Sequence, residues 1–182
     1  MKTVRVIAGG TVVLVSVAAA AQPPGASITT QPTRSLEGAA APIEAHPVDG
    51  AVLVLAFSRK SNRQVESWTH RLNAILSRPS QEHQGGLRFY NVIVLAEAPR
   101  LVRGMIRRAI RSGVPKVNQG KYRIVERDAA FWRALAAVDD ASQAHVLRID
   151  PGGRVCERKV GPVTDQALAD ILEARCTNEA VR

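Results

Sequence analysis

The chain carries two cysteines, Cys156 and Cys176, and four histidines, His46, His70, His83 and His145. Thiol chemistry needs an accessible thiolate, commonly at the start of a helix, where the backbone dipole lowers the thiol pKa. Neither cysteine has that setting. Cys156 begins the second strand of a predicted hairpin, and Cys176 ends a predicted last helix. A helix that follows a strand and packs back on it brings its end near the strand's start, so the two sulfurs can meet. In an oxidising compartment a structural disulfide is the default for such a pair. Closing a loop of about 20 residues would stabilise the fold by roughly 3 kcal/mol.

The histidines are scattered, with no His-x3-His spacing and no cysteine beside them, so no metal site is expected. Ser61 has no identifiable His–Asp partners and reads as a polar loop residue rather than a nucleophile. No glycine-rich phosphate loop is present, and neither a cofactor nor a small-molecule substrate is indicated.

Charge is the stronger signal. The formal net charge is +9, and nine basic residues fall in 100–127, with Glu126 the sole acid among them. Arg100, Arg103, Arg107 and Arg111 recur every three or four residues, which makes one stripe on a helix. Leu101, Val102, Met105, Ile106 and Ile110 would then be buried on the opposite side. The outward stripe is the expected partner-binding face, for an anionic membrane surface or an acidic protein client. A solvated helix face is the plainer alternative. Nucleic acid is not expected, because the chain reads as exported.

That export reading rests on the N-terminus. Lys2 and Arg5 precede an uncharged, apolar stretch over 6–21, and the run Ala18 to Ala21 offers small residues for a peptidase. The stretch is short for a membrane span of about 20 residues. The expected organisation is a signal peptide over 1–21, a flexible linker over 22–50, a folded domain over 51–176 and a tail over 177–182. A cleaved signal and a periplasmic or secreted product are expected; an uncleaved N-terminal anchor is the alternative.

The elements that position these residues read as follows. The apolar run 51–57 suits a strand buried on both faces, and 64–76 a helix with one apolar stripe. A second strand falls within 87–95. A helix begins behind Pro99 and stops at Gly113 and Pro115, and a shorter one surrounds Phe131 and Trp132. Trp68, Phe131 and Trp132 are expected in the core or half-buried. His145 to Ile149 and the residues after Arg154 form a hairpin around Asp150-Pro-Gly-Gly153, and Asp165 caps a last helix. The order is β-α-β-α-(α)-β-β-α, an α/β class chain with a mixed sheet and helices on both faces.

Two segments carry a family resemblance. Segment 57–68 (FSRKSNRQVESW) joins the first strand to the first helix, and 146–161 (VLRIDPGGRVCERKVG) is the hairpin. Both are similar to the thioredoxin-like and redoxin superfamily. By that likeness Ser61 and Gln64 take the places of the two cysteines of a C-x-x-C, as degenerate active-site positions. His145 lies near where redoxins keep a cis-proline and is expected at the surface. Within the superfamily the chain resembles the mitochondrial ATP synthase assembly-factor family (complex subunit ten). That likeness lies in Ala56-Phe57 with Val65 and Ser67-Trp68, in Leu101 to Arg108 with Val114-Pro115, and in Asp150, Gly153, Arg154 and Gly161. It departs after Arg154, where no aromatic follows.

The resemblance implies an exported, non-catalytic thioredoxin-fold binding module, an assembly factor or chaperone for a membrane complex, and so not an enzyme. The alternative is an atypical thiol-disulfide oxidoreductase or peroxiredoxin-like enzyme acting through Cys156 or Cys176.

Overall fold

The computed structural model describes residues 27–76 and 86–174. The expected signal peptide, His83, Cys176 and the C-terminal tail lie outside the described residues.

β1 (Ala51–Ala56) is buried at every position, as its unbroken apolar run predicts. α1 (Asn62–Leu76) returns the chain to β2 (Arg88–Val94), which pairs parallel with β1. α2 (Arg100–Gly113) and α3 (Lys116–Gln119) lead to β3 (Tyr122–Val125), parallel to β2. α4 (Ala129–Ala136) precedes the antiparallel hairpin of β4 (His145–Ile149) and β5 (Val155–Val160), and α5 (Asp165–Glu173) follows. β4 lies antiparallel to β1, so the five-stranded mixed sheet has the order β3-β2-β1-β4-β5.

Strand alternation sends neighbouring residues to opposite faces. On one face Leu53, Leu55, Val92, Leu147 and Ile149 pack under Trp132 and Leu135 of α4. On the other, Val52, Val54, Phe89 and Val146 meet Val65, Trp68 and Leu72 of α1 and Leu168 and Ile171 of α5. Each large side chain removed from water in this way contributes about 1.5–3 kcal/mol. The Trp68 indole N–H is also satisfied, donating to the Gly161 carbonyl at 3.0 Å.

Three expectations need correction. The linker expected over 22–50 is packed from Ser27 onward: Ile28, Leu36 and Ile43 are core residues. Their apolar side chains are too far apart in sequence to show a period, yet each fills a gap at the sheet. Arg34 exchanges backbone hydrogen bonds with Ile124 at 2.9 and 2.7 Å, covering the outer edge of β3. The folded unit therefore begins well before residue 51. β3 itself escapes a hydrophobic reading because it is four residues long, with Arg123 inside it and Lys121 and Glu126 at its ends. Finally, the cap of α5 is Thr164, whose hydroxyl accepts from the Ala167 N–H at 3.1 Å, and not Asp165.

The hairpin turn holds the start of the described chain. Gly153 has φ +79, and a Cβ there would stand 2.6 Å from Ser27 Oγ. The Ser27 hydroxyl donates to the Gly152 carbonyl at 2.8 Å. Among the described residues no helix is long and apolar enough to cross a membrane.

Candidate functional site

Ser61 and Gln64, expected as degenerate active-site positions, fall at the junction of β1 and α1, which is closed by hydrogen bonds. Ser58 leaves the strand in extended conformation and caps the short 3-10 turn Arg59–Ser61, accepting from the Lys60 N–H at 3.2 Å. Its hydroxyl donates to the Ala141 carbonyl at 2.8 Å. The Ser61 hydroxyl donates to the Ser58 carbonyl at 2.8 Å, and Ser61 is buried rather than lying in an open loop. Gln64 reaches across to β4: its Oε1 accepts the Ala144 N–H at 2.8 Å and its Nε2 donates to Gln143 Oε1 at 2.9 Å. Neither Ser61 nor Gln64 presents a free nucleophile.

His145, expected at the surface, is only 1% exposed. It lies in a continuous buried strand, with its ring edge-on to Phe57 at 5.5 Å. Nε2 stands 3.1 Å from the Asp140 carbonyl oxygen, which makes it the protonated nitrogen and leaves Nδ1 buried without a hydrogen-bond partner. The Asp140 carboxylate is held below its ordinary pKa, first by the Ser142 hydroxyl and backbone N–H, then by Gln143 and the nearby imidazole. No hydrogen bond links His145 to Ser61, so the two do not form a nucleophile–base pair. Among the described residues no cluster of His, Cys, Asp or Glu is arranged to hold a metal.

Cys156 is half-buried on β5 and disulfide-bonded. It is the extra residue of an irregularity in the β4–β5 register, where Arg148 faces Glu157 and Ile149 faces Val155. Bulges of this kind re-aim a side chain at a sheet edge. Its expected partner, Cys176, lies outside the described residues.

The four arginines expected as one outward stripe on α2 are divided. Arg103 turns inward and donates to the carbonyls of Ala98, Glu126 and Ala96 at 2.8, 2.7 and 2.7 Å. Arg107 donates to Glu126 Oε1 at 2.9 Å, and Arg34 lies 3.4 Å from Oε2 of the same carboxylate. Arg111 stands 3.9 Å from Glu37. Arg100 alone of the four is exposed without an ion pair among the described residues. The apolar side is divided too. Ile106 and Ile110 pack toward Leu36, Leu95 and Ile124, whereas Leu101 is 97% and Met105 66% exposed. Spacing alone missed this, because a guanidinium on a long stem can fold back to carbonyls that a helical wheel does not contain.

No protein-family model and no curated protein matches the chain. Among solved structures it is similar to the pneumococcal exposed lipoprotein thioredoxin Etrx1 from Streptococcus pneumoniae. The TM-score is 0.55 at 10% identity, covering 78% of this chain and 96% of that one. The fold is that of thioredoxin. Two further similar structures are a thio-disulfide isomerase from Thermus thermophilus (TM-score 0.47, 16% identity, 84% and 99% covered) and StoA from Bacillus subtilis (0.43, 16%, 78% and 95%).

Ser61 ends the 3-10 turn that follows β1, and Gln64 lies in the first turn of α1. The narrower likeness to ATP synthase assembly factors finds no support in these comparisons. The expectation that the chain is not an enzyme is also corrected. The pneumococcal structure whose fold it shares is named as a thioredoxin, and Cys156 holds a disulfide. Lacking cysteines at 61 and 64 removes one mechanism and does not exclude the class.

Proposed function

We propose that this is an extracytoplasmic thioredoxin-fold protein that acts on protein partners, holding a client during assembly of a membrane complex. The observation that carries this reading is the Gln64–Ala144 and Gln64–Gln143 closure of the helix start. It turns the position where thioredoxin chemistry would sit into a fixed polar surface, so a partner engages other faces of the domain. The basic, apolar N-terminus of the sequence supports placement outside the cytoplasm.

A second reading is favoured by the disulfide at Cys156. There a partner thiolate attacks one sulfur of that disulfide, forming a mixed disulfide and releasing the other cysteine as a thiolate. A second partner thiolate then attacks the mixed disulfide. The partner leaves oxidised, and the chain keeps two reduced cysteines.

One experiment separates the two. The tagged chain and its Cys156→Ser variant are expressed in an exporting cell, thiols are blocked in situ, and captured proteins are resolved with and without reductant. A partner held equally by both chains supports holding. A partner held only through a reductant-sensitive link to Cys156 supports exchange. Capture of no specific partner by either chain rejects both.

A further inference from the structure

Among the described residues, the outer seam of α2 takes no part in the hydrophobic clusters of the domain. Leu101, Met105 and Arg108 follow one another at spacings of four and three, so they form a single ridge. The helix is already anchored by the opposite seam, where Ile106 and Ile110 enter the cluster of Leu36, Leu95 and Ile124. Two large apolar side chains therefore stand exposed with no partner among the described residues, and Val117 on α3 adds a third at 86% exposure.

The charged residues of α2 itself are all arginines. Arg100 and Arg108 on α2, and Lys116 on α3, are exposed and make no ion pair among the described residues. The nearby acids are committed elsewhere, Glu126 to Arg34 and Arg107, and Glu37 to Arg111. Cations flanking a protruding apolar seam are the pattern of a helix that lies in a membrane interface.

Shape favours that occupant over a protein. The ridge is convex, and a Cβ at Gly104 beside it would meet nothing within 4 Å. A stable protein interface needs about 1,200 Å² or more of complementary surface. A fluid headgroup layer needs no concavity, since lipids part around Leu101 and Met105 while their phosphates reach the cations.

We infer that the Leu101–Met105–Arg108 ridge of α2, with Arg100, docks the domain on an anionic lipid surface. This goes beyond the proposed function and is independent of it: partner capture can succeed where vesicle binding fails, and the reverse.

The test is co-sedimentation of the purified exported chain with vesicles of phosphatidylcholine alone or with about a third phosphatidylglycerol, at low and high salt. The expected result is binding to the anionic vesicles only, lost at high salt. Arg100→Gln/Arg108→Gln should weaken it roughly 10- to 30-fold. Leu101→Ser/Met105→Ser should weaken it roughly 5-fold or more while keeping its salt dependence. Arg63→Gln, an exposed arginine on α1, should bind like the parent, and circular dichroism should be unchanged in every variant. Failure of the parent to bind anionic vesicles overturns the inference, as does equal binding to both vesicle types or parent-like binding by the two ridge variants. Retention on an acidic protein without vesicle binding likewise overturns it and assigns the ridge to a protein.

Discussion

Gln64 on α1 and Ala144 at the head of β4 are joined by a 2.8 Å hydrogen bond between side-chain Oε1 and backbone N–H. Ala144 is fully buried, so the bond satisfies an amide that water cannot reach. Gln64→Ala should therefore lower stability by about 1–3 kcal/mol, the cost of leaving a buried donor unmade. Gln64→Glu keeps the acceptor and should recover part of that loss. Urea denaturation of the three proteins checks the order.

Arg103 and Arg100 provide a contrast within one helix. Arg103 satisfies three carbonyls at the head of α2 and the end of β3. Arg103→Ala should cost about 2–4 kcal/mol, because hydrogen bonds from charged donors are lost together. Arg100→Ala should stay within about 0.5 kcal/mol of the parent. Equal effects in thermal denaturation would show that Arg103 is not the inward clamp described here.

These two residues also show what the sequence could and could not convey. β1, α1, β2 and the β4–β5 hairpin were legible because their apolar periods or turn residues are local. So was the placement of Ser61 and Gln64 at the strand-to-helix turn. The split of Arg100 from Arg103 was not, since it depends on where the carbonyls of Ala96, Ala98 and Glu126 come together. The burial of His145 follows from its strand lying between β1 and β5 and from Phe57 against its ring, which no local pattern reveals. Leu36 and Ile43 were hidden among small and polar residues, and only the assembled sheet gives them a place.

Cys156 should be linked to Cys176. Non-reducing peptide mapping of protein taken directly from the exporting cell should recover the linked pair. Cys176→Ser should lower stability by about 2–4 kcal/mol. Two free thiols in that material would reject the pairing.

Arg133 on α4 grips Glu97 with two hydrogen bonds, Nε to Oε1 at 2.7 Å and Nη2 to Oε2 at 2.8 Å. This contact is the main cause holding the Glu97 carboxyl below its usual range. A folded pKa below the unfolded one stabilises above the unfolded value, and that contribution fades as pH falls through the folded one. Both side chains are about a third or more exposed, so solvent screening leaves about 0.5 kcal/mol or less. In Arg133→Gln, Glu97 should titrate at higher pH by NMR; an unchanged titration would remove the ion pair as the cause.

Ala137 ends α4 in the left-handed region, at φ 48 and ψ 55, where a Cβ is strained. Ala137→Gly should raise stability by about 0.5–1 kcal/mol, against the usual direction of such a change, because it removes that strain. A loss in thermal denaturation would mean that packing of the Ala137 methyl outweighs the backbone.

The bond from Ser27 to Gly152 spans 125 positions, which gives the domain a folding order. Ile28 and Ile43 share a cluster with Leu147, Ile149 and Val155, so their berth is complete only after the β4–β5 hairpin has formed. A chain made from its N-terminus presents this segment before the hairpin that receives it, and closing so long a loop is slow. In the interval the patch that Ile28 and Ile43 cover, beside Trp132 and Leu135 of α4, stays open to water. The segment from Ser27 to Ile43 thus acts as a late latch, and while that patch is open the chain most needs protection from its neighbours.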